Sequence, residues 1–263
     1  MSAENPYQQF YLEPYRFLET IVSLPEVATI PDYIVIEGNT GAGKTTTTNL
    51  VASQTGLAHI GEYGNYVNFE GGETFPKFSP QNPSEVIRSN TLWTQLEFRR
   101  RAHQLSAGER QPGVMQIVER SPLTLIAFEY AKMKQGIPAE IDHLLGLYDK
   151  LYGIGILKEP SGYVFIQVSP NVVQERIKLK GNNPTLEFLC SNGTISAVNE
   201  FMNGFFAKYI NPENFIILNF DTTTQEGLAN SIINFIGSLK GKLQTTNGIS
   251  SIAHNALIGE PIL

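Results

Sequence analysis

The feature that most constrains this chain is the segment at residues 38–45, GNTGAGKT, which matches the pattern G-x-x-x-x-G-K-[S/T] in full. It follows an apolar run and precedes a helical pattern, and this order places converging backbone N–H groups at a helix N-terminus, where they bind phosphate. Lys44 supplies a cation for the β- and γ-phosphates of a nucleoside triphosphate, and the Thr45 hydroxyl is suited to hold Mg²⁺. The sequence thus predicts a nucleotide site made by Gly38, Asn39, Thr40, Gly41, Ala42, Gly43, Lys44, Thr45 and Thr46.

Short apolar runs alternate with helical patterns along the rest of the chain. The apolar runs, typical of buried strands, occupy residues 33–37, 56–60, 114–118, 163–168 and 215–220. The helical patterns occupy residues 45–55, 83–105, 121–135, 139–157, 170–180 and 225–243. This alternation predicts an α/β fold, with a five-stranded parallel sheet flanked by helices on both faces. We expect one domain over residues 32–243, an N-terminal extension over 1–31 with a helical pattern near 14–23, and a C-terminal tail over 244–263.

Composition excludes several other classes of protein. The net charge of −6 provides no basic field for nucleic acid or for an anionic membrane. The single cysteine, Cys190, excludes an internal disulfide and a cysteine-rich zinc site. No uncharged apolar run approaches the ~18 residues that span a bilayer, and the N-terminus has no basic region followed by an apolar stretch. We interpret the chain as a soluble protein, cytoplasmic or nuclear and not secreted; a homodimer is left open.

A charged motif follows the third apolar run. Glu119, Arg120 and Ser121 come directly after residues 114–118, which places a carboxylate and a guanidinium beside the glycine-rich loop if this strand neighbours the first. Glu119 is then suited to bind Mg²⁺ through water, and Arg120 to neutralise charge on a transferred phosphoryl group. The other interpretation is an ion pair at a strand end.

These segments resemble a known family. IVIEGNTGAGKTTTTNL is similar to the first strand and loop of the deoxyribonucleoside kinases, and the four threonines after Lys44 resemble the herpesviral thymidine kinases. VERSPLTLIAFEYA resembles the E-R-S motif of the cellular enzymes and the D-R-H-P motif of the herpesviral ones. The resemblance covers roughly residues 33–240. It implies a P-loop nucleoside kinase with a short lid, which transfers phosphate from ATP, with Mg²⁺, to the 5′-hydroxyl of a small-molecule nucleoside in nucleotide salvage.

The resemblance also implies catalytic residues. Glu62 lies 18 residues after Lys44, where the family keeps a Glu that is usually followed by Pro; here Tyr63 follows. We expect Glu62 to be the base that accepts the hydroxyl proton, with Lys44 and Arg120 neutralising the phosphates.

For the acceptor, the family places a Gln on the helix after the second strand, and the candidate here is Gln95. Arg99 lies one turn further on. The expected aromatic partners of the base are Trp93, Phe128 and Tyr130. The family's Arg seven residues after the Gln is Ala102 here, and its Asp after the E-R-S motif is Leu125. Because this Arg–Asp pair is missing, a thymine-type base is favoured over cytosine. Each candidate also has a plainer interpretation, as an exposed helix residue, a solvated basic face or a core aromatic.

The segment VQERIKLKGNNPTLEFL resembles the lid that closes over the ATP phosphates. Arg176 and Lys180 are one helical turn apart and are expected to contact the phosphates. The family's further lid Arg is Asn182 or Asn183 here. Glu187 is the candidate for the sugar 3′-hydroxyl, and Asp221 begins the segment expected near adenine.

Two other functions remain open from the sequence. A thymidylate kinase would use residues 99–101, all arginine, to hold an acceptor phosphate. The second is a catalytically weakened homologue with a structural role, which would keep the ATP pocket. The missing lid Arg, and Tyr63 in place of the family's Pro, are the reasons for this alternative.

Overall fold

A computed structural model describes residues 30–180 and 186–239. Within them, five parallel strands form one sheet in the order β2-β3-β1-β4-β5. The strands are β1 (Tyr33–Gly38), β2 (His59–Ile60), β3 (Gln116–Glu119), β4 (Gly162–Gln167) and β5 (Phe215–Asn219). The predicted parallel sheet is therefore confirmed. Residues 1–29, which include the helical pattern near 14–23 of the predicted extension over 1–31, lie outside the described residues. So do residues 240–263, which include the predicted tail over 244–263.

The described part of the chain contains seven α-helices. They are α1 (Lys44–Thr55), α2 (Pro83–Arg110), α3 (Pro122–Lys134), α4 (Ile141–Gly153), α5 (Pro170–Lys180), α6 (Asn192–Tyr209) and α7 (Gln225–Leu239). Short 3₁₀ turns occupy Tyr63–Tyr66 and Pro212–Asn214. None of the described helices is both long and apolar enough to cross a membrane.

The two faces of the sheet bury different sets of helices because side chains alternate along each strand. On β1, Ile34 and Ile36 belong to an apolar cluster with residues of α1 and α7. Tyr33 and Val35 belong to a second cluster, which contains residues of α2, α3, α4 and α6. All six residues of β1 are buried, as expected for a central parallel strand covered on both sides.

Strand register explains why the motifs meet. β1 pairs with β3 on one side, with Ile36 opposite Glu119, and with β4 on the other, with Gly38 opposite Ile166. The carboxyl ends of parallel strands lie at one edge of a sheet, which is where ligands bind in open α/β folds. The glycine-rich loop after β1 and the charged motif after β3 are thus neighbours, which meets the condition on which Glu119 and Arg120 were placed at the phosphate site.

One helix is missing from the sequence-based prediction. Helix α6 begins after Ser191, whose side chain accepts a hydrogen bond from the Thr194 backbone N–H, and it buries Phe201, Phe205 and Phe206. Elements that were predicted differ at their ends. The apolar run at residues 56–60 forms only the short β2, whereas α2 continues to Arg110, five residues beyond its predicted end.

Candidate functional site

The loop after β1 has a backbone conformation that requires glycine at three positions. Gly38, Gly41 and Gly43 have φ values of 148°, 81° and 80°. A Cβ atom on Gly38 would lie 2.6 Å from the Ile166 carbonyl oxygen, so a side chain does not fit there. Gly43 is the N-cap of α1 and provides no side-chain cap, which leaves the first N–H groups of the helix to a ligand.

Lys44 lies folded back onto this loop. Its Nζ donates to the carbonyl oxygens of Gly38 at 3.1 Å and Asn39 at 2.9 Å. Burial, together with the charge of Arg120, lowers the pKa of Lys44 to about 7, although Glu62 and other carboxylates act in the opposite direction. A phosphate group at the loop would supply the negative charge that this buried ammonium lacks.

Thr45 and Glu119 together form a site suited to a hard cation. The Thr45 hydroxyl donates to Glu119 Oε2 at 2.8 Å, and His59 Nε2 lies 2.7 Å from Glu119 Oε1. Hydroxyl and carboxylate oxygens are ligands that Mg²⁺ accepts, usually with waters and substrate phosphates completing the shell. Among the described residues no group of three or more His, Cys, Asp or Glu could hold a metal alone. The donors present therefore fit a cation shared with nucleotide phosphates.

Glu62 and Arg120 are paired at the edge of the sheet. Arg120 Nε donates to Glu62 Oε2 at 3.2 Å, and the same guanidinium donates to the Gly38 carbonyl at 3.3 Å and the Thr40 hydroxyl at 3.4 Å. Glu62 is 43% exposed at its side chain. Burial acts to raise the pKa of Glu62, but the charges of Arg120 and Lys44 outweigh it and lower that pKa. Glu62 is therefore a carboxylate at neutral pH, able to accept a proton.

A cavity of about 700 Å³ lies at this edge of the sheet. Its phosphate-loop end is lined by Thr40, Gly41, Gly43, Lys44, Thr45, Thr46, Arg176, Phe220 and Gln225. Its other end is lined by Glu62, Tyr63, Gly64, Phe75, Phe78, Trp93, Arg120, Thr124, Leu125, Phe128, Leu186 and Leu189. Arg120 connects the two ends, since it contacts Thr40 and its guanidinium lies 5.6 Å from the centre of the Phe128 ring.

Aromatic rings form the wall of the end away from the loop. Ring centres are 5.2 Å apart for Phe78 and Trp93, 6.0 Å for Phe75 and Trp93, and 6.4 Å for Phe78 and Phe128. Trp93 and Phe128 were predicted to lie at the acceptor. Phe75 and Phe78 were missed, although the clustering of phenylalanines in the Gly-rich stretch before α2 is a signal for them. A flat apolar ligand fits such a wall.

Helix geometry does not bring Gln95 to the cavity. Trp93 faces the cavity, and a residue two positions further along a helix is rotated by about 200°, onto nearly the opposite face. Gln95 is half-buried there and does not line the cavity. The predicted contact of this amide with a base is therefore not found in this geometry.

Three further predicted acceptor residues also lie off the cavity lining. Arg99 donates to both carboxylate oxygens of Glu73, at 2.6 and 2.7 Å, and to the Tyr66 carbonyl. It thereby anchors the segment that carries the two phenylalanines. The Tyr130 hydroxyl donates to Glu200 at 2.8 Å. Glu187 is exposed.

Of the residues predicted to contact ATP outside the glycine-rich loop, Arg176 lines the cavity. Arg176 Nη1 donates to the Gly41 carbonyl at 2.9 Å, and its guanidinium stacks 4.0 Å from the centre of the Phe220 ring. Asp221 accepts from the Ser169 N–H at 3.1 Å and does not line the cavity. Lys180 ends α5, but its side chain and Asn182 and Asn183 lie outside the described residues.

Three residues of the predicted loop are buried and do not line the cavity. They are Gly38, Asn39 and Ala42. Asn39 binds helix α6 instead, because its Nδ2 donates to Asn199 Oδ1 at 2.7 Å. Gln225, which was not predicted, donates to the Gly43 carbonyl at 3.2 Å and to the Thr47 hydroxyl.

Residues 34–188 match the sequence model of the deoxynucleoside kinases, a segment that spans more than half of the chain. The chain belongs to the deoxynucleoside kinase family. Membership makes it a phosphotransferase with a nucleotide, ATP-type phosphate donor. The predicted family is therefore confirmed, while its thymidine kinase branch is not tested by this match.

Solved structures agree with this fold. Deoxyadenosine kinase from M. mycoides with bound dATP is 16% identical, with a TM-score of 0.52 over 78% of this chain and 99% of that one. The same enzyme with bound dCMP and dCDP is 17% identical, with a TM-score of 0.56 over 78% of this chain and 99% of that one. Thymidylate kinase from Candida albicans is 18% identical, with a TM-score of 0.50 over 80% of this chain and 92% of that one. At these identities the likeness concerns the fold alone. No curated protein sequence matches the chain.

Proposed function

We propose that this kinase transfers the γ-phosphoryl group of ATP to the 5′-hydroxyl of a deoxynucleoside, and that thymidine or a related pyrimidine deoxynucleoside is its preferred acceptor. The observation that carries the proposal is the Glu62–Arg120 pair, 3.2 Å apart, which lies between the phosphate loop and the aromatic end of one cavity. A base and a cation are then available where a sugar hydroxyl would meet the γ-phosphate.

In the proposed reaction Glu62 accepts the proton of the 5′-hydroxyl as its oxygen attacks phosphorus. Lys44 and Arg120 neutralise the negative charge that spreads over the transferred group, and the reaction needs no covalent enzyme intermediate. Mg²⁺ would be held by Thr45 and, directly or through water, by Glu119, and it would supply charge neutralisation on the phosphates. Arg176 is placed to contact the donor phosphates from the loop side.

The apolar wall supports a thymine-type base. Leu125 stands where relatives place a base-contacting Asp, and it lines the cavity together with Phe78 and Trp93. An apolar side chain favours a base with a methyl group over one whose exocyclic amine must be hydrogen-bonded.

ADP release measured with thymidine, deoxycytidine, deoxyadenosine and dTMP as acceptors tests this function. The proposal expects turnover with nucleosides, highest with thymidine. Turnover with dTMP alone would establish the thymidylate kinase alternative, and no turnover with any acceptor would establish the catalytically weakened homologue. The arginine run does not support the dTMP alternative, since the side chains of Arg99, Arg100 and Arg101 each bind a glutamate of this chain.

Replacing Trp93 with alanine is expected to raise KM for the best nucleoside by about 5- to 150-fold, because stacking on an aromatic ring contributes ~1–3 kcal/mol per base. Gln95→Ala is the matched control on the same helix, and it should change KM less than twofold because Gln95 does not line the cavity. Steady-state kinetics with varied nucleoside at saturating ATP measure both. A larger rise in KM for Gln95→Ala than for Trp93→Ala would restore Gln95 as the residue that contacts the base.

Glu119→Gln is expected to raise the Mg²⁺ concentration that half-saturates the reaction by roughly 10- to 100-fold, as the loss of a metal-orienting carboxylate does elsewhere. Titration of activity with MgCl₂, and of Mn²⁺ binding by electron paramagnetic resonance with ADP present, measure the change. An unaltered affinity for both cations would remove Glu119 from the metal site.

A further inference from the structure

Arg100 lies in the middle of α2 and is 1% exposed, yet its guanidinium binds main-chain atoms of two other segments. Nε donates to the Gly61 carbonyl at 3.2 Å, and Nη2 donates to the carbonyls of Glu119 at 2.6 Å and Arg120 at 2.7 Å. The remaining nitrogen, Nη1, donates to Glu97 at 2.6 Å. One side chain thus ties the end of β2 to the end of β3.

These carbonyls belong to peptide groups adjacent to Glu62 and Arg120. Gly61 directly precedes Glu62, and the other two carbonyls are those on either side of the Arg120 amide and α-carbon. Arg120 has φ of 61°, and it is the non-glycine residue with a left-handed backbone among the described residues. Such a conformation persists only where its surroundings hold it.

The surroundings hold the Arg120 backbone from two directions. Its N–H donates to the Ile36 carbonyl of β1 at 3.0 Å, while Arg100 binds its carbonyl oxygen. Arg100 is itself fixed, because its guanidinium lies 4.3 Å from the centre of the Tyr63 ring and pairs with buried Glu97. The planar fork of an arginine reaches several acceptors in fixed directions, which the compact ammonium of lysine cannot do.

We propose that Arg100 is a positioning residue that sets the placement of Glu62 relative to Arg120, and so aligns the acceptor hydroxyl with the γ-phosphate. The proposal rests on the proposed function, since it assigns to Arg100 the geometry of that reaction. Arg100 does not line the cavity, so it acts through the backbones of residues 61, 119 and 120.

Arg101 offers a matched control. It is also 1% exposed and also pairs with Glu97, at 2.9 Å, but its other partners are Gln104 and, at 3.3 Å, the Tyr33 hydroxyl. None of these partners lines the cavity. Arg101→Lys therefore disturbs the same buried network without releasing the Glu62 and Arg120 backbones.

The test compares Arg100→Lys with Arg101→Lys. We expect both to lower Tm, and only Arg100→Lys to lower kcat, by about 10- to 100-fold, because a displacement of about 1 Å at the reacting groups is enough for such a loss. KM for the nucleoside and Kd for ADP should change less than threefold in both variants, because the aromatic wall and the glycine-rich loop are retained. Arg100→Gln and Arg101→Gln, which bury no charge, repeat the comparison if the lysine variants do not fold.

Equal kcat values for the Arg100 and Arg101 variants would overturn the proposal. Failure of both Arg100 variants to fold would overturn it as well, because Arg100 would then be a residue of the fold rather than of site geometry. A wild-type protein that phosphorylates no nucleoside refutes the proposed function instead, so the two failures are distinguishable.

Discussion

Lys44→Ala is expected to lower kcat by about 10³-fold or more. Lys44 is the amine that the glycine-rich loop holds in place before nucleotide binds, with its Nζ 3.1 and 2.9 Å from two loop carbonyls, and the negative charge of bound phosphates favours its protonated form. Removal of one preorganised charge donor from a phosphoryl-transfer site raises the barrier by several kcal/mol. ADP release at saturating ATP and nucleoside measures the loss. Turnover within threefold of wild type would contradict the assignment of this loop to the phosphates.

Lys158→Ala is the control for loss of a positive charge. Lys158 pairs with Asp32 at 2.7 Å and does not line the cavity, so its removal should leave kcat within twofold of wild type. A second measurement separates catalysis from folding.

The second measurement is the free energy of unfolding as a function of pH. Burial lowers the pKa of Lys44 to about 7, against 10.5 for an ordinary lysine, so between these values the unfolded chain binds the proton and the folded chain does not. The free energy of unfolding contributed by this group therefore rises with pH across that window. We therefore expect the free energy of unfolding to rise from pH 7 to pH 9 by a larger amount in wild type than in Lys44→Ala. Denaturant unfolding curves of both proteins at the two pH values measure this difference.

Sequence reasoning succeeds where the structure depends on local pattern. The glycines of the loop adopt positive φ values, Lys44 and Thr45 begin the helix after it, and the apolar run before the loop has the length and composition of a buried strand. The position of Glu119 beside Thr45 follows once the third strand is placed next to the first. The five-stranded parallel sheet and the family are recovered for the same reason, whereas the order of the strands is given by the structure alone.

Sequence reasoning fails where a side chain depends on contacts distant in the chain. Helix α6 was missed because the glycines at 193 and 204 interrupt its pattern, while its phenylalanines are buried by packing that the local sequence does not reveal. On α2 the sequence offers both Trp93 and Gln95 as acceptor-side residues, and the rotation of the helix brings Trp93 to the cavity lining but not Gln95.

The same limit applies to residues that organise the site. His59 reaches Glu119 only because β2 pairs with β3, and the main-chain acceptors of Arg100 lie 19 to 39 residues away along the chain. Arg99 had the charge of a substrate-binding residue, but Glu73 engages it through two hydrogen bonds. Charge and spacing identify groups able to do chemistry, whereas their partners decide which of them face the ligand.

Glu62→Gln is expected to lower kcat by about 10²- to 10⁴-fold while KM for the nucleoside changes less than threefold. The amide keeps the size of the side chain and can still accept from Arg120, but it cannot take the proton of the acceptor hydroxyl. Steady-state kinetics with varied nucleoside at saturating ATP separate the two parameters. Glu70→Gln, at an exposed position outside the cavity lining, is the control for loss of one negative charge and should match wild type.

The pH profile tells a base from a binding group. Arg120 and Lys44 lower the pKa of Glu62 in the ligand-free protein despite its partial burial, so kcat/KM of wild type, which reports groups of the free enzyme, should fall with acid only below the usual range of a glutamate. This acid limb should be absent from the residual activity of Glu62→Gln, since the group that titrates is gone. If the variant instead keeps kcat and raises KM, Glu62 contacts the acceptor without accepting its proton. The base would then be sought among the other carboxylates near Arg120, of which Glu119 hydrogen-bonds the Thr45 hydroxyl and Glu37 accepts from Ser121 and Thr124.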